Sequence, residues 1–258
     1  GIGLQKHERS AQFQRLVKIN EVEYDTVVNA LEIKRKAIEL GADLVGITDL
    51  RRVDGLPTLP HGLMEPYTHA VVIAVAVSPD VFEPITNEPT PLYLHHYLAT
   101  NILLDDINLR LQKEIIHEGF RALAIPASQT VDKVNWMGHI SHKAMAKAAG
   151  LGWQGKSLLL VTPKYGPRVR LATLLTNASL EPDPVLSNRC GKCKKCQDAC
   201  PVAAIKGGSW EDHPQTREEA LHFSRCVEKL HEDFAKRPEI GKPICGVCIS
   251  VCPWGKRR

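Results

Sequence analysis

The chain reads Cys190-Gly-Lys-Cys193-Lys-Lys-Cys196-Gln-Asp-Ala-Cys200-Pro201, then a single Cys226, then Cys245-Gly-Val-Cys248-Ile-Ser-Val-Cys252-Pro253. This segment contains all eight cysteines of the 258-residue sequence. Its spacing is C-x2-C-x2-C-x3-C-P followed by C-x2-C-x3-C-P, with one detached cysteine ahead of the second run. Thiolates at these intervals are typical of two 4Fe–4S clusters in a bacterial-ferredoxin-type fold. The segment therefore predicts electron transfer.

Each cluster needs four thiolates, and a tight loop can supply only three of them. The last cysteine of each run is therefore expected to bind the cluster of the other run, as in two-cluster ferredoxins. This rule divides the cysteines into two groups. The first cysteine set is Cys190, Cys193, Cys196 and Cys252, and the second cysteine set is Cys200, Cys226, Cys245 and Cys248.

Three other uses of the cysteines are weighed against the clusters. Disulfides suit small secreted domains, whereas the 189 residues before Cys190 contain no cysteine. Paired zinc sites use C-x2-C knuckles, but the C-x3-C-P step suits them badly. Free buried thiols would not cluster in this way. Zinc is the main alternative to the two clusters.

The composition is that of an ordinary globular protein, with 43% hydrophobic and 24% charged residues. No apolar run approaches the roughly 20 residues that a membrane span needs. The polar first 18 residues lack the apolar core of a signal peptide. Since oxygen-labile clusters and free thiolates favour a reducing compartment, we expect a cytoplasmic protein with no membrane span.

The net charge of +4 is unevenly distributed. From residue 187 onward there are 14 Lys and Arg against 9 Asp and Glu, and the rest of the chain is close to neutral. Cations near a tetrathiolate cluster offset its negative charge. The basic end, residues 256–258, could also contact an acidic partner or nucleic acid.

The periodicity of the sequence predicts three regions. Residues 1–20 form a polar arm, residues 21–184 form a mixed α/β (α+β) domain for cofactor and substrate, and residues 185–258 form the ferredoxin-like domain. Helices are predicted at 27–40, 93–117 and 142–149, and strands at 43–48, 70–77, 120–125, 157–162 and 169–176. In the long helix, Leu104, Ile107, Leu111 and Ile115 share one face. In the first helix, the predicted apolar face includes Leu31 and Ile38.

Gly150-Leu-Gly152-Trp153-Gln-Gly155 matches the G-x-G-x-x-G pattern of dinucleotide-binding folds. In those folds a strand precedes the glycines and a helix follows, whereas here the predicted order is reversed. What remains is a glycine-rich turn beside Trp153 and Lys156, where backbone could approach a large planar ligand. The alternative is a tight turn around a core tryptophan.

Several side chains are candidate proton donors. His96 and Tyr97 stand at the start of the long helix, and His142 precedes the glycine-rich turn. Histidines here could donate protons near neutral pH, or Ser141 and His142 could cap the helix that follows. Asp132 is a candidate acid only if it faces a pocket.

The chain resembles epoxyqueuosine reductases and the related reductive dehalogenases in the order of four features. These are Ala149–Lys156, a hydrophobic strand, a turn with Gly166 and the cysteine run. Lys36–Ile47 and the start of the long helix resemble the same family, so the likeness covers nearly the whole chain after the arm. It implies a nitroreductase/flavin-reductase-like catalytic domain that holds cobalamin and is fed by two 4Fe–4S clusters. It also implies an external low-potential electron donor and a small-molecule or tRNA-borne substrate.

Two departures concern the site. Epoxyqueuosine reductases carry an Asp-Ser-x-Pro segment with a proton-donating aspartate, whereas this chain has Val131-Asp132-Lys133-Val134 at a different distance. The family's Arg-Asp-Tyr-His region is here Leu94-His95-His96-Tyr97. By this resemblance the candidate cofactor-binding residues are Gly150, Gly152, Trp153, Gly155 and Lys156, and the candidate catalytic residues are His96, Tyr97, Asp132 and His142.

Three functions therefore stay open. The first is an iron–sulfur oxidoreductase that passes electrons to cobalamin, which then reduces a substrate. The second is a non-catalytic electron carrier or activator that docks a partner enzyme. The third is a reductase that keeps FMN in a nitroreductase-like site. A deep cavity near a cluster would favour catalysis, and a collapsed one would favour docking.

Overall fold

The computed structural model describes residues 29–214 and 216–256. The predicted arm, residues 1–20, lies outside the described residues. Asn29 caps the N-terminus of helix α1 (Ala30–Glu39), because its side chain accepts a hydrogen bond of 2.9 Å from the backbone N–H of Leu31. It ends before Gly41, which has a φ of 112° and so adopts the left-handed conformation that favours glycine after a helix.

A four-stranded sheet forms the centre of the mixed α/β region. Its strands are β1 (Leu44–Asp49), β2 (His69–Ala76), β3 (Ala122–Ile125) and β6 (Val169–Thr176). They lie in the order β1-β2-β6-β3, and every neighbouring pair is antiparallel. Residues 70–75 of β2 are all buried, so the strand predicted at 70–77 lies inside the sheet and is covered on both faces.

Helices cover the two faces of this sheet. On one face lies α2 (Pro91–His117), whose predicted core residues Leu104, Ile107, Leu111 and Ile115 are fully buried. On the other lies α3 (His142–Ala148), which buries Met145 and Ala146. Within the described residues, no helix combines the length and the apolar character needed to cross a membrane.

Two local predictions are wrong. In α1, Leu31 is 73% exposed and Ile38 is 48% exposed, whereas Ile33, outside the predicted face, packs into the core. The helix carries two apolar stripes, and the sheet packs against the second one. The predicted strand 157–162 is reduced to β5 (Leu160–Val161), because Leu158 has a φ of 61° and the chain turns there.

The glycine-rich turn is part of a short antiparallel ribbon. Strand β4 (Trp153–Gln154) pairs with β5 in a separate two-stranded sheet, so β5 does not pair with β6. The turn between them is closed by a hydrogen bond of 2.8 Å from the Gly155 N–H to the Leu159 carbonyl. This ribbon carries Trp153 towards the cysteine-rich segment.

The cysteine-rich segment consists of short helices and loops. The helices are α4 (Lys195–Asp198), α5 (Arg217–Ala220), α6 (Phe223–Glu228) and α7 (Val247–Ser250). Two apolar clusters join this segment to the rest of the chain. One includes Val81, Phe82 and Tyr93 with Ile244 and Val247, and the other includes Leu158 with Ile205 and Leu221.

Arg168 fastens the C-terminal end of the segment. Its side chain is buried, and its guanidinium donates hydrogen bonds to the carbonyls of Ser250, Cys252 and Trp254 at 3.0, 3.0 and 2.6 Å. Carbonyls that follow a helix such as α7 have no partner within the helix. Arg168 supplies those partners and positions Cys252.

Asn108 of α2 provides a test of how the helix is joined to the sheet. Its buried side-chain amide donates to the carbonyls of Ile125 and Thr173 at 3.2 and 3.0 Å. Asn108→Ala leaves both buried carbonyls without this donor, so we expect the free energy of unfolding to fall by roughly 2 to 4 kcal/mol. Chemical denaturation measures the change. Asn87→Ala, in an exposed loop, is the control, and equal effects of the two variants would contradict the assignment.

Candidate cluster-binding cysteines and the adjacent cavity

The structure brings the cysteines together in two groups. The Cys196 thiol lies close enough to Cys190, Cys193 and Cys252 for their charges to influence its pKa. Cys252 therefore reaches the first run from 56 residues away in sequence, with Arg168 holding its carbonyl.

The second group forms around Cys248, whose thiol interacts with those of Cys245, Cys226 and Cys200. Cys248 also lies near Cys196, so the two groups are adjacent. These groups have the membership of the first and second cysteine sets. That they ligate clusters stays a prediction.

The chemistry of the thiols fits a positively charged, multi-atom group. Burial, followed by repulsion from neighbouring thiolates, raises the pKa of Cys196 to about 11. Burial also raises the pKa of Cys245 to about 11 and moves the pKa of Cys248 far above its usual range. Iron binds thiolates and relieves this penalty.

The thiols of the first cysteine set line a small void. Among residues 29–214 and 216–256, no three His, Cys, Asp or Glu side chains converge as they do around one metal ion. The first set instead surrounds a void of about 30 Å³, which Lys156 and Trp254 also line.

The glycine-rich turn serves the first cysteine set. The Trp153 indole N–H donates to the Cys190 sulfur at 3.4 Å, and the Lys156 ammonium donates to the Cys193 carbonyl at 3.0 Å. An added methyl group at Gly150 would overlap the Pro184 carbonyl, and one at Gly152 would overlap the Val161 carbonyl. These glycines are required because backbone segments of the chain approach each other closely.

A large cavity of about 1160 Å³ lies elsewhere, between the sheet and the cysteine-rich segment. Its walls come from residues 52–57, 126–129, 136–144, 158–160, 167, 169–171, 212–214, 217 and 249, with further single residues between them. None of Gly150, Gly152, Trp153, Gly155 and Lys156 lines this cavity. The structure therefore places the predicted cofactor-binding residues beside the cysteines rather than at the cavity.

The cavity adjoins the second cysteine set. Ile249, the residue after Cys248, forms part of its wall. Two other wall residues, Tyr93 and Lys143, lie close enough to Cys248 to interact with it electrostatically. A ligand in the cavity would therefore be next to any cluster held by this set.

The charged groups on the wall are mostly cationic. They are Arg52, Lys143, Lys147, Arg170 and Arg217, against Asp54 and Asp212. Lys147 forms an ion pair with Asp212, and the Arg217 guanidinium donates to the carbonyls of Asn135 and Trp136 at 2.7 and 3.0 Å. Lys143 has no hydrogen bond or ion pair with any described residue. Burial, with repulsion from Arg217, lowers the pKa of Lys143 to about 8.

His142 lies on the wall but is locked by hydrogen bonds. Its Nε2 donates to the Pro126 carbonyl at 2.9 Å, so its Nδ1 accepts from the Thr173 hydroxyl at 2.8 Å. Burial lowers the pKa of His142 to about 4. The ring is neutral near pH 7 and its one N–H is bound to the Pro126 carbonyl, so it lacks the acidic second proton of an imidazolium. The capping alternative holds for Ser141, whose hydroxyl accepts from the Ala144 N–H at 3.3 Å.

The other three predicted proton donors do not line the cavity. The Asp132 carboxylate accepts hydrogen bonds from the backbone and side chain of Asn135, which hold its pKa below the usual range. Tyr97 lies one layer behind the wall, where its hydroxyl is 2.7 Å from that of Ser128, a wall residue. His96 packs edge-to-face on His95.

Sequence reasoning missed the wall residues Tyr93, Lys143 and Arg170. Burial raises the pKa of Tyr93 far above its usual range, so the phenol is neutral. The guanidinium of Arg170 lies 4.2 Å from the Tyr97 ring centroid and donates to Asn101 at 3.0 Å. No local pattern distinguishes Lys143 from Lys147, the other lysine of the helix HKAMAKA.

Residues 189–255 match the protein family described as a 4Fe-4S double cluster binding domain. The chain is also 35% identical to the epoxyqueuosine reductase of Bacillus anthracis over 127 residues, which are 46% of this chain and 30% of that protein. It thus spans about a third of the length of the curated relatives it matches. The resemblance to epoxyqueuosine reductases and the double-cluster character of the C-terminal segment are confirmed.

Two solved structures share the fold. One is a reductive dehalogenase described as suggesting a mechanism for B12-dependent dehalogenation, with a TM-score of 0.70, 18% identity and coverage of 92% of this chain and 33% of that one. The other is an epoxyqueuosine reductase with an epoxyqueuosine-modified tRNA stem loop, with a TM-score of 0.60, 23% identity and coverage of 87% and 64%. The mixed α/β fold with its cysteine-rich segment is therefore confirmed, while a nitroreductase-like fold stays a prediction.

The crossed assignment of the cysteines can be tested with paired serine variants. Cys190→Ser and Cys252→Ser belong to one set, so the double variant is expected to keep about half of the iron, as each single variant does. Cys226→Ser combined with Cys252→Ser is expected to lose nearly all of it. Iron analysis of anaerobically reconstituted protein measures both. If the Cys190/Cys252 pair loses all iron, the sets are not crossed.

His142 makes stability depend on pH. Because its folded-state pKa of about 4 is below the unfolded value of 6.5, the unfolded chain takes up the proton first as the pH falls. The contribution of the neutral His142 to the free energy of unfolding is therefore complete above about pH 6.5 and is lost as the pH falls towards about 4. His142→Gln should flatten the dependence of the unfolding free energy on pH, leaving the part due to His213, whose pKa is also about 4. His95→Gln, at an exposed position, should leave the slope unchanged.

Proposed function

We propose that this chain is an iron–sulfur oxidoreductase in which the two cysteine sets hold 4Fe–4S clusters and a corrinoid occupies the cavity. One observation carries the proposal, namely that the cavity of about 1160 Å³ directly adjoins the second cysteine set. Ligand pockets usually measure about 300–1000 Å³, so a cavity of this size suits a large cofactor. The similarity to epoxyqueuosine reductases supports the same reaction type.

The residues of the wall fit a corrinoid. Apolar side chains such as Leu158, Leu160 and Leu171 would cover the flat ring, and Lys143 and Arg170 would approach its polar periphery. When bound, a reduced corrinoid supplies a low-potential centre that reduces an electrophilic substrate. The second cysteine set would hold the cluster nearest to it.

The proton would come from Lys143 on the cavity wall, rather than from the neutral His142 or from His96, Tyr97 and Asp132, which do not line the cavity. Lys143 is protonated at neutral pH, yet its pKa of about 8 is much closer to neutrality than that of an ordinary lysine. An acid is most effective when its pKa is near the working pH. Tyr93 would orient the substrate with a neutral phenol.

The substrate is proposed only as a class. An epoxide borne on tRNA agrees with the relatives of this chain, and a small halogenated compound agrees with the dehalogenase fold. An external low-potential donor would supply the electrons. The alternative of a non-catalytic carrier gives no role to so large a cavity, and the alternative of FMN gains no support from the comparisons.

Blocking the cavity tests the proposal. Ser128 is exposed at the wall, and Ser128→Trp should obstruct the cavity and weaken cobalamin binding at least about tenfold, because a bulky ring displaces the ligand. Ser179→Trp introduces the same side chain at an exposed position that does not line the cavity. The cobalt absorption spectrum is titrated in protein reconstituted without oxygen. Absence of cobalamin binding by the unmodified chain overturns the proposal.

A further inference from the structure

The first cysteine set is covered by a strongly basic surface. Of the eight residues from Arg189 to Cys196, four are Lys or Arg and none is acidic. The four cations are Arg189, Lys192, Lys194 and Lys195, and all are exposed. None of them makes an ion pair with a described residue. We call these four residues the basic surface.

Offsetting the charge of a cluster does not account for the basic surface. Buried cations already stand beside the first set, because Lys156 donates to the Cys193 carbonyl and Arg168 donates to the Cys252 carbonyl. The second run, Cys245 to Cys252, has the same kind of ligands and contains no charged residue at all. The exposed cations are therefore not required to offset the negative charge of the cluster.

The position of the basic surface gives it a role in electron flow. The cavity adjoins the second set, and its wall contains no residue of the first run. The first set lies beside the surface instead, where the Arg189 guanidinium is 5.7 Å from the Trp153 ring centroid and the Trp153 indole contacts the Cys190 sulfur. An electron bound for the cavity would enter at this end.

We infer that the basic surface docks an acidic one-electron carrier protein, which reduces the cluster held by the first cysteine set. The carrier loses one electron and the cluster gains it, with no bond made or broken and no proton moved. Complementary charge raises the rate of encounter and orients the partner. Two acidic groups lie near in sequence or contact, namely Asp198 on α4 and Glu211, which accepts a hydrogen bond of 3.2 Å from the Asn188 N–H. The inference deepens the proposed function and rests on its direction of electron flow.

The experiment uses the full chain, reconstituted with iron and sulfide, and an acidic plant-type 2Fe–2S ferredoxin as the probe. The test variant is Lys192→Glu, Lys194→Glu and Lys195→Glu combined. The matched control reverses three exposed lysines elsewhere, Lys113→Glu, Lys133→Glu and Lys242→Glu, for the same change in net charge. Calorimetry measures binding of the oxidised ferredoxin, and stopped-flow absorbance measures cluster reduction by the reduced ferredoxin.

At low ionic strength we expect the test variant to lose about tenfold or more in affinity and in second-order rate, with the control unchanged within about twofold. The unmodified chain should lose affinity as salt is added. Photoreduced deazaflavin, a small neutral reductant, should reduce all three proteins at the same rate. Equal binding by the test variant and the unmodified chain, or equal loss in the control, overturns the inference.

Iron content shows whether the test variant keeps its clusters. If it does not, the Lys→Gln triple variant and the salt dependence of the unmodified chain decide in its place. Ferredoxin binding is measured without cobalamin. A chain that binds ferredoxin at the basic surface but does not bind cobalamin would therefore contradict the proposed function and leave this inference standing.

Discussion

The buried guanidinium of Arg168 is the contact on which the two parts of the chain depend. A buried cation is tolerated only where hydrogen bonds replace its hydration, and Arg168 has three carbonyl partners within residues 250–254. These carbonyls follow α7 and flank Cys252, so the same contact that satisfies the arginine also fixes the fourth member of the first cysteine set. Gly166 and Gly255 allow this approach, because an added methyl group at either position would overlap the opposing backbone. The cysteine-rich segment is thus positioned by Arg168, the residue that precedes β6.

The basic surface, the two cysteine sets and the cavity are neighbours in that order. The basic surface covers the first cysteine set, Cys248 lies near both sets, and the cavity adjoins the second set. A carrier bound at one end and a ligand bound at the other would be separated by the two cysteine sets alone. The glycine-rich turn supports the first cysteine set, through Trp153 and Lys156, rather than the cavity.

The predictions from sequence succeeded where the signal is local. The cysteine spacing identifies the double-cluster segment, and the period of α2 identifies its buried face, because both patterns depend on neighbouring residues. The wall of the cavity could not be predicted, since Tyr93, Lys143 and Arg170 come from three elements that only tertiary packing brings together. The contacts of the glycine motif could not be predicted for a related reason. Gly150 lies against the Pro184 carbonyl and Gly152 against the Val161 carbonyl, and no local sequence pattern reveals these contacts.

The composition of the cavity wall has a thermodynamic consequence. Residues 185, 212–214, 217 and 249 belong to the C-terminal part of the chain, while the remaining wall comes from the part that contains the sheet, so neither part encloses the cavity alone. A ligand bound there would stabilise the joined arrangement. If metal bound to the cysteines strengthens the binding of that ligand, the ligand strengthens metal binding by the same free energy. By this linkage, a molecule without iron would bind the ligand of the cavity more weakly. A site without its electron supply would then release a reactive cofactor.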